Sequence, residues 1–178
     1  MKKNPDYGLL FPYNKNYVTG DKFTMEVYAD SSFADDPVTR KSTYSFFIFV
    51  NDCLVLSRCK LTPKVAHSST EAEYIALSEA GKAAFGILQK IEELGFEVQK
   101  PVPVYTDNQG AKEWAMNPMV TNRSKHIELK HHAVRDLIKD GHIQILKVPT
   151  EDNIADIGTK SLGKNLFWKH AKKLITRK

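Results

Sequence analysis

The sequence predicts an α/β domain built on one mixed sheet, and three observations lead to that class. Short segments alternate apolar and polar side chains, which is the pattern of strands with one buried face. One long segment with apolar residues at helical spacing lies between two of these strands. A helix that joins two strands of one sheet makes them parallel, whereas a tight turn makes them antiparallel. A chain of 178 residues is long enough to bury one such core.

Three strands are predicted in the first third of the chain. Apolar residues alternate with polar ones over residues 23–29. Aromatic and β-branched residues fill 44–50, and a second apolar run covers 53–57. Asn51 and Asp52 separate these two runs, and this pair favours the tight turn of an antiparallel hairpin.

A long helix follows, and both of its ends carry signals. Ser68, Ser69 and Thr70 are candidate N-caps, and Gly95 has the position of a C-terminal glycine. The inward face of the helix is predicted from apolar residues at helical spacing, which are Ala76, Ala80, Ala83, Ile87, Ile91 and Leu94. A short apolar strand at 102–106 comes next, and it is predicted to lie parallel within the same sheet.

The last part of the chain is predicted to combine four helices with a fifth strand. The helices cover 108–116, 124–139, 153–162 and 165–175, and the strand covers 142–148. Ligands of open sheets bind beyond the carboxyl ends of the strands, near a change in strand order. The carboxyl ends of the predicted strands are therefore the expected position of a functional site.

Four acidic residues from four separate elements are predicted to converge at that position. They are Asp30 after the first strand, Glu73 near the start of the long helix, Asp107 after the fourth strand and Asp156 in a late loop or helix start. Crowded carboxylates repel each other, and burying them costs free energy unless a cation pairs with them. Two divalent cations remove that repulsion, and two-metal sites hydrolyse phosphodiesters. The pattern predicts a two-metal nuclease in which Asp30 binds both metals.

Alternatives remain open for the single acids. Glu73 shares a helix face with Ala76 and Ala80. Glu71 lies roughly 200° around the helix from Glu73, so Glu73 is the preferred ligand and Glu71 the alternative. Any aspartate after a strand can be a turn or cap residue, and Asp107 could cap the helix that follows it. Only the combination of four acids indicates metal chemistry.

The bulk properties narrow the class of protein. The net charge of +5 gives weak support to a polyanionic partner. Basic residues are densest over 123–139, where they either contact phosphates or form an ordinary solvated helix face. Cys53 and Cys59 are interpreted as free thiols of a reduced intracellular protein, and their spacing does not favour zinc. No apolar run reaches the length of a membrane span.

The order of the motifs resembles the ribonuclease H domain at the C-terminal end of the polyprotein of copia-type LTR retrotransposons. The resemblance covers residues 27–162, and it is specific because six motifs occur in the same order. These are YADSSFADD, TRKST, AHSSTEAEYIALSEA, VYTDNQGAKEWAMNP, NRSKHIELKHHAVRD and PTEDNIADIGTKSL. The chain departs from the family at Tyr44 and Ser45, where a small Ser-Gly pair is common. It also lacks the histidine that cellular ribonucleases H carry before the last acid.

The resemblance implies a ribonuclease H-like fold, with a mixed five-stranded sheet flanked by helices, and cleavage of the RNA strand of RNA–DNA hybrids. It assigns Asp30, Glu73, Asp107 and Asp156 as ligands of two Mg²⁺ ions, with Mn²⁺ as an alternative metal. It also implies a reverse transcriptase domain of the same polyprotein as partner. The implied location is a cytoplasmic virus-like particle with access to the nucleus. The alternative function is a catalytically inactive binding or connection module of the same fold.

The resemblance also divides the chain into three parts. Residues 1–22 resemble a connector from the reverse transcriptase region, 23–162 the ribonuclease H domain, and 163–178 a basic C-terminal helix or tail. Contacts with the hybrid are expected at the minor groove, where the 2′-hydroxyl distinguishes RNA, and at the phosphates. The candidates are Asn108 and Gln109 for the groove, with the ordinary polarity of a helix start as the alternative. For the phosphates they are Arg40, Lys125 and His126, with a solvated turn or an outer helix face as the alternative.

Overall fold

Five strands form one mixed sheet in a computed structural model that describes residues 7–9, 20–117 and 129–177. Their order across the sheet is β4-β3-β2-β5-β6. The strands are β2 (Met25–Ser32), β3 (Thr43–Val50), β4 (Cys53–Leu61), β5 (Val102–Thr106) and β6 (Ile143–Lys147). Strands β2, β3 and β4 pair antiparallel, whereas β5 is parallel to both β2 and β6. The predicted mixed sheet with a parallel crossover is therefore confirmed, and β2 is its central strand.

Five α-helices accompany the sheet in the described part of the chain. They are α1 (Ser69–Glu93), α2 (Gln109–Met116), α3 (Leu129–Lys139), α4 (Asp156–Thr159) and α5 (Lys164–Leu174). A small separate sheet pairs β1 (Tyr7–Leu9) with β7 (Ile175–Arg177) in antiparallel fashion. The pairing joins described residues of the predicted connector to the end of the predicted C-terminal segment.

Local signals account for the hairpin and for the ends of α1. The Asn51 and Asp52 residues have φ values of +48° and +63°, as the predicted tight turn between β3 and β4 requires. The Ser68 hydroxyl accepts a hydrogen bond from the backbone N–H of Glu71, so Ser68 is the N-cap among the three predicted candidates. Gly95 has a φ of +85° just beyond the helix, a conformation that favours glycine at this position.

The main core lies between α1 and the sheet. Helix α1 contacts β2, β3 and β5 on one side and α2 and α3 on the other. Its buried residues Leu77 and Leu88 belong to the same apolar cluster as Val27, Phe46 and Val104 of the strands. A second, smaller cluster around Phe47, Phe49, Ile154, Ala155 and Leu174 packs the C-terminal helices onto β3. The two clusters fix α1 and α4 relative to the central strand.

Several predicted boundaries differ from the structure, and two of the differences concern the candidate site. Strand β2 continues to Ser32, so Asp30 lies inside the strand, opposite Ser45, and not beyond its end. The helix predicted over 153–162 is wrong in extent, because only Asp156–Thr159 is α-helical and a 3-10 turn at Thr150–Asp152 precedes it. The first residues of the helix predicted over 124–139 lie outside the described residues. The segment around residue 153 is held by hydrogen bonds to distant strands, through the Asn153 side chain and the carbonyls of Ala155 and Gly158.

Within the described residues, none of the helices is both long and apolar enough to span a membrane. Cys53 and Cys59 form no disulfide bond within the described residues.

Candidate active site

The four acidic residues come from four elements that meet beside the central strand. Asp30 lies in β2, Glu73 in α1, Asp107 directly after β5, and Asp156 at the first position of α4. One carboxylate oxygen from each of the three aspartates lies within 4.8 Å of the others. Asp30, Glu73 and Asp156 are buried, whereas Asp107 is partly exposed. The structure therefore brings the aspartates together at a site that is open on the Asp107 side.

Glu73 extends from α1 towards this cluster. Its Oε1 atom accepts a hydrogen bond from the backbone N–H of Ser31 at 3.1 Å, next to Asp30 in β2. Its Oε2 atom is buried and has no hydrogen-bond partner within the described part of the chain. Burial, together with the negative charges of Asp30 and Asp107, raises the pKa of Glu73 to about 9. A carboxyl group in this position takes up a proton unless a cation approaches it.

Glu71 has a different role from Glu73. Its Oε2 atom accepts a hydrogen bond from the backbone N–H of His67 at 2.8 Å, and its own N–H donates to Ser68. These reciprocal bonds form a capping arrangement at the start of α1, which satisfies backbone donors that the helix leaves unpaired. The Glu71 carboxylate thus caps the start of α1, and Glu73 is the glutamate that faces the aspartates.

Asp30 and Asp156 share a lysine that the sequence analysis did not single out. The Lys160 ammonium donates to Asp156 Oδ1 at 2.9 Å and to Asp30 Oδ1 at 3.1 Å, and the Thr159 hydroxyl donates to Asp30 Oδ2. Burial still raises the pKa of Asp30 to about 7, since these bonds and the lysine charge only partly offset it. Burial lowers the pKa of Lys160, but the bonds to both aspartates outweigh that effect and raise it.

The segment that carries Asp156 is held by hydrogen bonds to three strands. The Asn153 amide donates to the carbonyl of Ala29 at 3.0 Å, and the Ser45 hydroxyl donates to the carbonyl of Ala155. Cys59 donates through Sγ to the carbonyl of Gly158 at 3.0 Å. These contacts join the segment to β2, β3 and β4, where the chain forms a 3-10 turn and a short helix and not the longer helix predicted.

Gly158 allows α4 to approach β3 this closely. A Cβ atom at that position would lie 2.7 Å from Cβ of Ser45, which is closer than real Cβ contacts. The chain departs from the family pattern at Ser45, and here the Ser45 hydroxyl anchors the Asp156 segment through the carbonyl of Ala155. Residues Asn153, Thr159 and Lys160 were missed from sequence. The spacing of Asp156 and Lys160 at i,i+4 was the one signal for a contact, and it is common on helices.

The donor set fits hard divalent cations. All four side chains offer carboxylate oxygens, which Mg²⁺ and Mn²⁺ prefer over nitrogen or sulfur ligands. The orphaned Oε2 atom of Glu73 is an acceptor that the described protein atoms leave unsatisfied. Asp30, Asp107 and Asp156 present their oxygens at a mutual spacing suited to a shared ion. Asp30, Glu73, Asp107 and Asp156 would therefore hold the metal.

The residues predicted to contact substrate lie at the start of α2, in the turn between β2 and β3, and outside the described residues. Asn108 accepts a hydrogen bond from the N–H of Ala111 through Oδ1, so it caps α2 beside Asp107. Gln109 is exposed one residue later and donates to Glu113 at 2.9 Å. Arg40 is exposed in the turn between β2 and β3, with a φ of +55°. Lys125 and His126 lie outside the described residues.

Arg135 comes from the basic stretch over 123–139, but its guanidinium is not part of an outer basic face. It donates two hydrogen bonds to the carbonyl of Trp114, at 3.0 and 2.8 Å, and lies over the Tyr74 ring. Arg135 therefore joins α3 to α2 and α1 and contributes to the fold.

Sequence comparison finds relatives of this chain among the Pol polyproteins of plant transposons. The chain is 36% identical over 143 residues to the retrovirus-related Pol polyprotein from transposon TNT 1-94 of Nicotiana tabacum, and this match covers 80% of the chain. It is 29% identical over 170 residues to the corresponding polyprotein from transposon RE2 of Arabidopsis thaliana, with 96% of the chain covered. The chain spans 11% of the length of each of these relatives. No protein-family model matches the chain.

A solved structure supports the assignment of the fold. The chain superposes on LC11-RNase H1, a ribonuclease H crystallised in complex with an RNA/DNA hybrid, with a TM-score of 0.53. The match covers 73% of the chain and 88% of that structure, at 13% sequence identity. At such low identity the similarity establishes the ribonuclease H fold alone.

Proposed function

We propose, for a chain that is homologous to the retrovirus-related Pol polyproteins of plant transposons and has the ribonuclease H fold, that it hydrolyses the RNA strand of RNA–DNA hybrids with two divalent metal ions. The observation that carries this proposal is the convergence of Asp30, Asp107 and Asp156 with Glu73, whose buried Oε2 atom has no partner in the described part of the chain. Four carboxylates crowded in this way repel each other, and bound divalent cations would remove that repulsion.

The acidic side chains of the site have different proposed roles, which follow from their positions. Asp30 accepts a hydrogen bond from Thr159 and Glu73 accepts one from the backbone N–H of Ser31, and these bonds hold both carboxylates in position. Asp107 lies on the more open side, and its partial exposure leaves room for a substrate phosphate. When bound, the two Mg²⁺ or Mn²⁺ ions supply an activated water and stabilise the leaving oxygen.

The proposed substrate and setting follow from the relatives. The solved structure of LC11-RNase H1 carries an RNA/DNA hybrid, which supports the same substrate class for this chain. The relatives are polyproteins of retrotransposons, and we propose that the chain acts beside their reverse transcriptase and degrades the RNA template after first-strand synthesis. We further propose the cytoplasmic virus-like particle as its location.

Substrate recognition is proposed at the start of α2. Gln109 is exposed two residues after Asp107, where it can meet the minor groove of a hybrid bound at the metals. Asn108 keeps the helix start in place through its cap. A catalytically inactive module of the same fold is the rival function, and the presence of all four acids at one site argues against it.

The test is cleavage of an end-labelled RNA–DNA hybrid by the purified chain in Mg²⁺, with EDTA as the metal-free control. Duplex RNA and duplex DNA of the same sequence serve as substrate controls. We expect cutting of the hybrid alone, confined to its RNA strand and abolished by EDTA. Binding of the hybrid without any cutting in Mg²⁺ or Mn²⁺ would support the inactive module instead.

A further inference from the structure

A lysine ammonium lies between two carboxylates at the centre of the proposed metal site. Lys160 Nζ is 3.1 Å from Asp30 Oδ1 and 2.9 Å from Asp156 Oδ1. The side chains of Asp30 and Asp156 are 0% and 2% exposed, whereas that of Lys160 is 37% exposed. The lysine therefore reaches from solvent into a buried pair of acids.

The position of this ammonium has an electrostatic reason. Two carboxylates buried side by side repel each other strongly, and a single positive charge between them reduces that repulsion. In the metal-free protein Lys160 supplies this charge. Three aspartates lie close enough together to share one metal ion. Lys160 contacts two of them, Asp30 and Asp156.

A divalent cation and the ammonium cannot both use these oxygens at full strength. Each Oδ1 atom that donates electron density to a metal ion loses most of its attraction for the lysine, and the two cations repel each other at this short range. The exposure of the Lys160 side chain means that it can leave towards solvent without opening the apolar core.

We propose that Lys160 is a built-in cation that competes with the divalent metal for Asp30 and Asp156, and that metal binding displaces it towards solvent. The inference rests on the proposed two-metal function of the site. Its consequence is that the chain remains folded without metal but binds metal less tightly than its four carboxylates alone would allow. The competition is reciprocal: the bound metal weakens the contact of Lys160 with the two aspartates, and Lys160 lowers the affinity of the site for the metal by the same factor.

The test measures Mn²⁺ binding to the whole chain without nucleic acid, by isothermal titration calorimetry at constant pH. Lys160→Met keeps the length of the side chain and removes its charge, and we expect it to bind Mn²⁺ about tenfold more tightly than the original chain. Lys160→Arg keeps the competing charge and is expected to show no such gain. Lys169→Met is the matched control, because Lys169 pairs with the exposed Asp152 outside the site.

A second measurement needs no substitution. The Lys160 ammonium, held by two carboxylates, is expected to give a slowly exchanging NMR signal that is lost when Mg²⁺ is added. An unchanged signal at saturating Mg²⁺ would overturn the inference, as would a folded Lys160→Met chain that binds Mn²⁺ no more tightly than the original. Those outcomes leave the proposed function intact, because metal still binds. Absence of Mn²⁺ binding in the original chain and in Lys160→Met would overturn both proposals.

Discussion

Helix α1 takes part in two regions of the molecule in which burial has opposite effects. At Leu77 and Leu88 it buries apolar surface against the sheet, and each such side chain stabilises the fold. At Glu73, one turn before Leu77, it buries a carboxylate beside Asp30, and there burial disfavours the charged form. The core next to the acid cluster therefore keeps the carboxylates buried, and the Lys160 ammonium offsets part of the electrostatic cost.

The largest expected effect is the loss of cleavage when a charge is removed from the cluster. Asp107→Asn keeps the size of the side chain but removes one anionic ligand. We expect hybrid cleavage to fall on the order of a thousandfold or more, because a bound metal contributes several kcal/mol to the transition state. Cleavage of a labelled hybrid in Mg²⁺ under single-turnover conditions measures this loss.

The fold should be unaffected by the same substitution, since Asp107 is partly exposed and its charge repels the other acids. The matched control is Asp140→Asn, which makes the same change at an exposed position after α3. If Asp107→Asn cleaved as fast as Asp140→Asn, Asp107 would not be a metal ligand.

The next largest effect is expected in the core and should be independent of metal. Leu77 is fully buried in the cluster beneath α1. Leu77→Ala is expected to lower the free energy of unfolding by about 3 kcal/mol, from lost burial and the cavity left behind. Urea denaturation in EDTA and in Mg²⁺ should give the same loss in both conditions.

The control for this change is Leu94→Ala, at a side chain that is 74% exposed just beyond α1. It is expected to alter the free energy of unfolding by less than about 0.5 kcal/mol. A Leu77→Ala loss that Mg²⁺ abolished would mean that the core and the acid cluster are not separable in the way the comparison implies.

The smallest effect, counted per pH unit, is a pH dependence of stability that originates in the cluster. The folded state raises the pKa of Asp30 from 3.8 to about 7 and that of Glu73 from 4.5 to about 9. The folded chain thus keeps protons that the unfolded chain has already lost, so these groups contribute stability at low pH that disappears as pH rises through those values. Without metal, the free energy of unfolding should fall from about pH 4 until the pH passes about 9, by on the order of 1 kcal/mol per pH unit for each of the two groups.

Glu73→Gln should flatten this decline in EDTA, because glutamine does not titrate and its oxygen can still accept from Ser31. Glu93→Gln, at the exposed end of the same helix, should leave the decline unchanged. Urea melts of the three chains at several pH values make the comparison. A slope equally steep in Glu73→Gln and in the original chain would assign the pH dependence to other groups.

Much of the fold was predictable because its signals are local. The hairpin turn at Asn51 and Asp52, the N-cap at Ser68 and the terminal Gly95 depend on a few neighbouring residues. The four candidate acids could also be singled out from the sequence, because each lies in or next to a predicted regular element. The extent of the helix near Asp156 was not, because hydrogen bonds from Asn153 and to Ala155 and Gly158 join it to distant strands.

The sequence by itself determined the order of elements, the parallel crossover and the four carboxylates of the candidate site. Only the tertiary structure decided that Asp30 lies within its strand, that Glu71 caps α1 while Glu73 faces the aspartates, and that Lys160 lies between two of them. The Lys160–Asp30 contact joins residues 130 positions apart. Periodicity and capping report interactions within one element, whereas contacts of this kind exist only after separate elements have packed together.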